Sequence, residues 1–559
     1  MDETKLDVVI LGGGLAGSLL ARQLRMARPE LSMAVFERDT ERGFKVGEST
    51  VEIAANYLIR KQKLNRYLFM NQLPKNSLRF FFDTPEKDAE LHRMSEIGVY
   101  HLPPLPSFQL DRARLEQDLI DMNVAMGIDV QLGATVRDVV LDKENGHRVV
   151  VERGGEKRAY RARWVLDCSG RASPIARQRG YRRRTPEHHI AAVWARGANV
   201  ADIDAWPDEE FRQRARYTAR TLSTNHFCYD GYWIWFIPLS CDLISLGMVM
   251  NADKFDPAWR TREGFLSCLR AHRAPASMLE KAELVDVGSY AQLSYRSTKI
   301  FGGEERWGFS GESAAFTDPF YSPGSDFIAI ENDMLADLVL RDFAGEDIAE
   351  RSAIYDAMVQ FRFENTLLLY SGLYQTFGSF ELFKEKCFFD CASYYNLWVD
   401  AYMQDQHLDL RWCRTQLRRK DLVLEAMRNF NRLFQDAARE VKRDGRYFRK
   451  NLGHQVLNGV EAFGVFDGLG RGRSRREIND RTEMIFNKTR EAVVSMLRDE
   501  RTEIAPEAPM PWSPSPLPRG PLDLDQFMGD TDLRTIGPRT ASADPSAASR
   551  LELADALAE

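Results

Sequence analysis

Three glycines near the start of the chain have the spacing of a nucleotide-binding turn. Gly12, Gly14 and Gly17 follow an apolar run over residues 5–12 and open a helical pattern. In such a turn the first glycine permits the tight bend, the second lets the backbone approach a pyrophosphate, and the third lets helix and strand pack closely. A second strand pattern ends at Glu37, whose carboxylate can accept hydrogen bonds from ribose hydroxyls. A plain glycine turn is the alternative, but the strand, helix and acidic residue together favour a bound dinucleotide.

Three further segments favour FAD over NAD. These are L-D-C-S-G-R at residues 166–171, G-F-S-G-E-S-A-A followed by D-P at 308–319, and D-R-A-R-L at 111–115. In this order they resemble the aromatic-hydroxylase class of FAD-dependent oxidoreductases, although family members usually carry Asp where this chain has Glu312. The resemblance also places G-E-S-T, residues 47–50, near the flavin. The residues expected to bind the cofactor are Gly12, Gly14, Gly17, Glu37, Gly47, Glu48, Ser49, Arg112, Asp167, Gly311, Glu312, Asp318 and Pro319.

The string W-I-W-F-I-P at residues 233–238 places two indoles two residues apart before a proline. Because alternate side chains of a strand share a face, Trp233 and Trp235 are expected on one side of it. One interpretation is an aromatic pair in the core. The string also resembles the W-x-W-x-I-P signature of the tryptophan-halogenase superfamily, and the resemblance extends over residues 5–345. It implies that the two indoles fill the space beside the flavin and block direct oxygen transfer to a substrate.

The same resemblance assigns roles to a lysine and a loop. It implies that Lys75 holds hypohalous acid, or forms a haloamine, and delivers the halogen as an electrophile; Lys45 is a lesser candidate. An apolar pocket would lower the lysine pKa and favour the neutral amine. D-P-F-Y-S-P-G at residues 318–324 matches the family loop whose backbone N–H groups hold the halide, but Pro323 has no N–H to offer. The expected catalytic residues are Lys75, Trp233 and Trp235, and the expected halide ligands are Ser322, Gly324 and Ser325.

The expected function is a two-component halogenase that uses FADH2, O2 and chloride or bromide. A separate flavin reductase is the expected partner, because no second glycine fingerprint offers an NADPH site. Tyr321 stands where tryptophan-directed relatives carry glutamate, so the chain is nearer the phenol and pyrrole branch, in which some substrates are tethered to a carrier protein. The basic stretch Arg411–Lys420 could dock an acidic carrier or be a solvated face. The aromatic residues expected on the substrate side are Phe80, Phe81, Phe82, Tyr100, His101, Phe108, Phe227, Tyr229 and Tyr232.

Two other functions stay open at the sequence level. The first is a flavin monooxygenase or oxidoreductase that does not use halide, which the missing N–H at Pro323 would permit. The second is a non-catalytic FAD-binding partner in a biosynthetic assembly. Each would retain the glycine turn and the FAD segments.

Composition indicates a protein with a large core. Of the 559 residues, 44% are hydrophobic, and 76 basic against 82 acidic residues give a net charge of −6, which argues against nucleic acid as the main partner. No apolar stretch is long enough to span a bilayer, and no signal peptide precedes the first strand. Seven scattered cysteines without a CxxC pair indicate reduced thiols, no zinc site and a cytoplasmic location.

The order of patterns predicts an α/β fold: a Rossmann-type FAD-binding domain, an inserted antiparallel β-sheet for the substrate, and a C-terminal helical region. Residues 1–345 are expected to form the FAD module with the interleaved sheet, and residues 346–502 a helical domain. Residues 503–559 are rich in proline and alanine and are expected to be disordered, with Trp512 and Phe527 as docking points.

Overall fold

The computed structural model describes residues 3–99, 101–215, 217–457, 459 and 463–498. The strands are β1 (Glu3–Leu11), β2 (Met33–Glu37), β3 (Leu73–Pro74), β4 (Leu78–Phe82), β5 (Ser95–Gly98), β6 (Phe108–Gln109), β7 (Asp129–Leu132), β8 (Ala134–Val140), β9 (His147–Arg153), β10 (Glu156–Asp167), β11 (Arg182–Arg184), β12 (Ile190–Ala198), β13 (Thr224–Tyr229), β14 (Tyr232–Pro238), β15 (Ile244–Asn251), β16 (Glu283–Leu284), β17 (Gly288–Tyr290), β18 (Tyr295–Ser297), β19 (Phe301–Gly302), β20 (Trp307–Phe309), β21 (Ala315–Phe316) and β22 (Gln455–Leu457). The α-helices are α1 (Leu15–Ala27), α2 (Glu52–Asn56), α3 (Asn65–Asn71), α4 (Arg112–Ala125), α5 (Pro174–Gln178), α6 (Glu209–Gln213), α7 (Arg262–Arg270), α8 (Arg273–Met278), α9 (Gly324–Phe343), α10 (Ala349–Leu367), α11 (Phe380–Tyr394), α12 (Asp400–Met403), α13 (Leu410–Arg418), α14 (Lys420–Arg443) and α15 (Arg475–Leu497).

The first sheet is the predicted nucleotide-binding sheet. Its central order is β20-β10-β1-β2-β7, and these strands run parallel. The β1 segment VVIL is fully buried, as expected for a strand covered on both faces. Helix α1 connects β1 to the adjacent parallel strand β2, so the glycine turn lies at the carboxyl end of β1, where ligands of such folds bind.

The second sheet is the predicted insertion, in the order β16-β12-β15-β14-β13-β4-β5-β22. Most neighbours are antiparallel, but β4 runs parallel to β13 and β22 runs parallel to β5. Strand β22 comes from the helical region near the chain's end, which the sequence pattern did not predict. Side chains alternate along β14: Ile234 and Phe236 pack in one core cluster, whereas Trp233, Trp235 and Ile237 pack in another beside the C-terminal helices.

A buried ionic triad connects β4 and β5 to the loop before β13. The carboxylate of Glu96 lies between the guanidinium groups of Arg79 and Arg220, and all three side chains are fully buried. Arg220 donates to Glu96 Oε2 over 2.9 Å, and Arg79 pairs with Oε1. Burial alone would raise the pKa of Glu96, but the two arginines hold it at about 2. The triad therefore holds a negative charge between two positive ones inside the sheet.

The predicted fold class is confirmed: a parallel FAD-type sheet, a mainly antiparallel inserted sheet and a helical C-terminal region. The domain boundaries remain predictions, and the predicted tail 503–559, with Trp512 and Phe527, lies outside the described residues. Among the helices that the structure describes, none has the length and apolar character needed to cross a bilayer.

Candidate functional site

The glycine turn has the close contacts that its spacing predicted. Gly12 adopts a φ of +97°, and a Cβ atom there would lie 2.5 Å from the carbonyl oxygen of Cys168. A Cβ at Gly17 would lie 2.0 Å from the Gly12 carbonyl oxygen. The N–H of Gly13 donates to Glu37 Oε2 over 2.8 Å, which fixes the carboxylate at the end of β2. Positions 12 and 17 therefore have no room for a side chain, which keeps the turn tight and the helix close to the sheet.

The end of α1 fits a pyrophosphate. Gly14 is the N-cap residue and no side chain caps this end. The nearest atom to a Cβ built at Gly14 is a carboxylate oxygen of Glu116, 3.9 Å away. The open N–H groups of the first turn are suited to phosphate oxygens. Gly311 lies against the same turn, since a Cβ there would be 3.2 Å from the Cβ of Ala16. The two predicted cofactor segments are thus brought together.

Asp167 and Glu312 have different surroundings. The buried Asp167 carboxylate accepts from Ser169 Oγ over 2.6 Å and from Ser313 Oγ over 3.1 Å, and burial raises its pKa. Its contacts join the two predicted cofactor segments. Glu312 is partly exposed, with its carboxylate 3.5 Å from the guanidinium of Arg171.

The G-E-S segment is held by two arginines. Arg112 donates to the carbonyl oxygen of Gly47 over 3.4 Å, as well as to the preceding carbonyl. Glu48 is buried and accepts from Arg196 Nε over 2.9 Å and from Ser245 Oγ over 2.7 Å. Burial raises the pKa of Glu48, which Arg196 partly opposes. The predicted residues of this segment thus lie in one charged and hydrogen-bonded unit.

The two indoles connect this unit to the loop of Asp318. The Nε1 of Trp235 donates to Ser245 Oγ over 3.0 Å. The Nε1 of Trp233 donates to Tyr374 Oη over 3.2 Å, and Tyr374 in turn donates to Asp318 Oδ2 over 2.6 Å. The ring centroids of Trp233 and Trp235 are 5.5 Å apart. The prediction that they share a face is confirmed, and they are both a core pair and a contact to predicted cofactor segments.

The predicted halide loop ends at the amino end of the long helix α9. Ser322 has a φ of +57°, Pro323 is the N-cap residue, and the helix begins at Gly324. A Cβ at Gly324 would meet nothing within 4 Å. The hydroxyl of Ser325 is buried without a hydrogen-bond partner among the described residues. Gly324 and Ser325 therefore offer first-turn N–H groups, whereas Pro323 offers none.

Lys75 lies at the wall of a cavity that is partly open to solvent, with about 1350 Å³ of empty space when its opening is included. Its side chain is buried, and Nζ donates to Ser49 Oγ over 2.8 Å and to the carbonyl oxygen of Thr50 over 2.7 Å. Burial lowers the pKa of Lys75 to about 8, which Glu52 and Asp326 partly oppose. The amine is thus held beside the G-E-S segment and largely deprived of water. Lys45, the lesser candidate, is partly exposed and pairs with Glu116 outside the cavity wall.

The predicted substrate aromatics are divided by the second sheet. Phe80 and His101 line the cavity. Phe81, Phe227, Tyr229 and Tyr232 pack in the cluster on the other face, so their assignment to the substrate side was wrong. Phe82 and Phe108 are buried but do not line the cavity, and Tyr100 lies outside the described residues. The alternation along β4 explains the division, because Phe80 and Phe81 point to opposite faces.

Several polar residues of the cavity wall were not predicted. Asp326 accepts from Arg362 Nη2 over 3.1 Å and from Tyr394 Oη over 2.8 Å, and burial raises its pKa to about 6. Glu52 accepts from Tyr395 Oη over 2.6 Å. These contacts join α2 and α9 to the C-terminal helices, which carry no motif. The proximity of Asp326 to the D-P-F-Y-S-P-G loop was the one local signal that could have identified it.

Comparisons with known proteins agree with this arrangement. Residues 5–226 match the family model described as FAD binding domain. The flavin-dependent halogenase chlA of Dictyostelium discoideum is 28% identical over 442 residues, which cover 72% of this chain and 71% of that protein. A chlorinase of 1H-pyrrole-2-carbonyl-(peptidyl-carrier protein) from Pseudomonas fluorescens is 25% identical over 345 residues, which cover 58% of this chain and 73% of that protein.

Solved structures share the fold. The crystal structure of halogenase PltM has a TM-score of 0.64 at 16% identity and covers 88% of this chain and 96% of its own. The flavin-dependent brominase Bmp2 has a TM-score of 0.53 at 21% identity and covers 79% of this chain and 100% of its own. The fold and the glycine site define the class: this is an FAD-binding flavoprotein. Within that class, the chain is similar to flavin-dependent halogenases.

Proposed function

We propose that this protein halogenates an electron-rich phenolic or pyrrolic ring in secondary metabolism, such as antibiotic biosynthesis, as a two-component enzyme. Its reaction would use FADH2 from a separate flavin reductase, O2, and chloride or bromide. One observation carries the proposal: the buried amine of Lys75 lies on the wall of a large cavity and is bonded to the G-E-S segment. Within the described ranges, Nζ bonds to a hydroxyl and a carbonyl oxygen and forms no ion pair that would require a positive charge.

Bound reduced FAD supplies the oxygen chemistry that converts halide to hypohalous acid. The chain's residues then control where that acid reacts. Lys75, with a pKa of about 8, is neutral in roughly a tenth of molecules at pH 7. The neutral amine can accept a hydrogen bond from hypohalous acid, or attack its halogen and release hydroxide. Ser49 and Thr50 hold Nζ in position for either interaction.

The indole pair separates the two parts of the chemistry. Trp233 and Trp235 are 2% and 6% exposed and bonded to the segments of Glu48 and Asp318. They occupy the space through which a ring would otherwise approach the cofactor. The substrate is therefore expected in the cavity beyond Lys75, where Phe80 and Tyr370 provide flat apolar surface.

The substrate is either a free small molecule or an aromatic acyl group on a carrier protein. A cavity with a partly open mouth suits both. All seven cysteines are free, in keeping with the proposed cytoplasmic location.

A monooxygenase that does not use halide is the second candidate, and Pro323 favours it. The residue removes one N–H donor from the predicted halide loop. Anion binding would then depend on the N–H groups of Gly324 and Ser325 and on the orphan Ser325 hydroxyl.

The two candidates give different products in one experiment. The protein is supplied with FAD, a flavin reductase, NADH, O2 and bromide, together with a phenolic probe, and products are analysed by mass spectrometry. Bromine isotope doublets support the halogenase, and the gain of one oxygen supports the monooxygenase. Unmodified probe would favour a non-catalytic FAD-binding role.

The Lys75→Ala variant tests the role of the amine. Halogen transfer should be abolished while reduced-flavin oxidation continues at the wild-type rate. Lys281→Ala, which removes an exposed lysine, is the matched control and should retain full activity. Normal product formation by Lys75→Ala would exclude the delivery role.

A further inference from the structure

A buried lysine and carboxylate pair on α11, which packs against the predicted halide loop, and the carboxylate lines the cavity. Lys386 and Asp390 are one helical turn apart on α11 and are 0% and 3% exposed. The Lys386 amine pairs with Asp390 Oδ2, and Tyr321 Oη donates to the same oxygen over 2.8 Å. Neither residue belongs to a predicted motif. In the cluster of Lys386, Asp390 and Tyr321, the first two residues come from a C-terminal helix and Tyr321 comes from the predicted halide loop.

Only half of the Asp390 carboxylate is used by these contacts. Asp390 lines the cavity, and its other oxygen, Oδ1, makes no hydrogen bond within the part of the chain that the structure describes. A carboxylate oxygen can accept two hydrogen bonds, so Oδ1 is available to a donor in the cavity. An O–H group of a ligand in the cavity would supply such a donor. Burial raises the pKa of Asp390, and the Lys386 charge partly opposes this shift.

We propose that Asp390 binds and deprotonates the ring hydroxyl of the substrate, which makes the substrate a phenol with a free O–H group. This inference rests on the proposed halogenase function and narrows its substrate class. Asp390 and Lys75 line the same cavity, so a ring between them can present its hydroxyl to one and its carbon to the other. Tyr321 connects the carboxylate directly to the loop that carries the predicted halide ligands. Lys386 and Tyr321 are positioning residues, because they act through Asp390.

The proposed step balances with hypohalous acid as the oxidant. The phenolic proton moves to Asp390 as the ring carbon forms its bond to halogen. The halogen–oxygen bond breaks, its electron pair stays on oxygen, and the resulting hydroxide takes the ring proton and leaves as water. The aromatic ring is thereby restored. Asp390 then returns its proton to the phenolic oxygen, so the net change is replacement of ring hydrogen by halogen and formation of water.

The test compares two ring probes in the complete assay with FAD, reductase, NADH, O2 and bromide. Phloroglucinol has free hydroxyls, whereas 1,3,5-trimethoxybenzene is electron-rich but cannot ionise. Asp390→Asn should lower kcat/KM for phloroglucinol by about 100-fold or more, the usual range for loss of a general base, and change the trimethoxy probe less than about threefold. An equal loss on both probes, or no loss on phloroglucinol, would overturn the inference.

The pH dependence of the bromination rate distinguishes a general base from a structural residue, because loss of a purely structural residue would not change its shape. Without Asp390, only phenol that is already ionised in solution should react. The rate of Asp390→Asn on phloroglucinol should therefore rise about tenfold per pH unit below the pKa of the free phenol, whereas the wild type should change little near neutrality. A variant profile parallel to that of the wild type counts against the proposal.

Two further variants control for folding and for charge. Asp390→Asn leaves Lys386 buried without its counter-ion, so the double variant Lys386→Met/Asp390→Asn is tested beside it and should show the same probe selectivity. Bound FAD and reduced-flavin oxidation report that each protein is folded. Glu385→Gln removes one negative charge from the same helix outside the cavity wall and should behave as wild type. A wild type that brominates neither probe would refute the proposed function itself, whereas bromination unaffected by Asp390→Asn would refute only this inference.

Discussion

The amine of Lys75 donates a 2.8 Å hydrogen bond to the hydroxyl of Ser49. The residue before Ser49 is Glu48, whose carboxylate is connected to the indole of Trp235 through Ser245. The residue proposed to receive the halogen and the residue proposed to shield the cofactor are thus fixed by two consecutive residues. The buried segment of Glu48 and Ser49 thus fixes the distance between Lys75 and Trp235. A fixed distance suits hypohalous acid that must move from the cofactor to the amine.

Burial of Lys75 should lower the free energy of unfolding, although the residue is necessary for activity. Its pKa falls from 10.5 to about 8 on folding because of burial. The unfolded chain therefore binds more protons between these two pH values, so the free energy of unfolding should rise with pH across that window. Below pH 8 the full penalty is present, about 3 kcal/mol before the hydrogen bonds of Nζ are counted.

Lys75→Met should therefore be inactive in halogenation yet at least as stable as the wild type at pH 7, with the difference shrinking toward pH 10.5. Urea unfolding at several pH values measures this. Lys281→Met should alter neither stability nor activity. A Lys75→Met protein that unfolds at a clearly lower urea concentration than the wild type at pH 7 would mean that the lysine is a structural residue.

Pro323→Thr should strengthen halide binding. Threonine restores a backbone N–H at the N-cap of α9, beside the open space at Gly324. A hydrogen bond to a charged group contributes about 1.5–3 kcal/mol, so the halide KM should fall by about tenfold or more. The measurement is the dependence of halogenation rate on chloride and bromide concentration.

Ser325→Ala provides the opposite change at the same helix end. It removes the buried hydroxyl that has no partner among the described residues and should raise the halide KM. If neither variant moved the halide KM, the halide would have to bind elsewhere.

Gly247→Ala should displace Trp235. A Cβ at Gly247 would lie 2.0 Å from Cζ2 of the indole. Overpacking of this kind costs about 1–3 kcal/mol, so the melting temperature should fall and the tryptophan fluorescence should shift. Less product should form per reduced flavin, because the indole no longer fills its space. Gly43→Ala, where a Cβ meets nothing within 4 Å, should change none of these quantities.

Glu96→Gln should destabilise the protein without touching the cavity. Removal of the carboxylate leaves two buried arginines uncompensated, which costs about 3–5 kcal/mol. In the wild type the pKa of Glu96 lies at about 2, below its ordinary value of 4.5. The stability that it contributes is thus complete above pH 4.5 and is lost as the pH falls toward 2. Glu156→Gln, at an exposed pair with Arg158, should change the unfolding free energy by less than about 1 kcal/mol.

Sequence patterns predicted the parts of the site that depend on local chain geometry. The close contacts of Gly12 and Gly17 follow from the turn itself, and the shared face of Trp233 and Trp235 follows from the period of a strand. Lys75 was found through its position relative to the aromatic strand β4. In each case the neighbours in sequence are also the neighbours in space.

The acidic residues of the cavity wall could not be found in this way. Asp326 and Asp390 are brought to the cavity by the packing of α9 and α11, and neither residue belongs to a predicted motif. In the sequence, Lys386 and Asp390 have the common i,i+4 spacing of a helical ion pair. Only the fold shows that this ion pair is buried. Phe81 was wrongly assigned to the substrate side because the prediction used the aromatic composition of β4 and ignored that its side chains alternate between the two faces of the sheet.

Strand β22 has a consequence for the chain as a whole. It brings residues 455–457 from the far end of the helical region to the edge of the sheet that carries Phe80. A protein cut after Phe343 would keep the glycine turn, the indoles and Lys75 but lose the helices that enclose the cavity. Any oxidant produced by such a fragment would escape into bulk water and react with other molecules, including the enzyme itself.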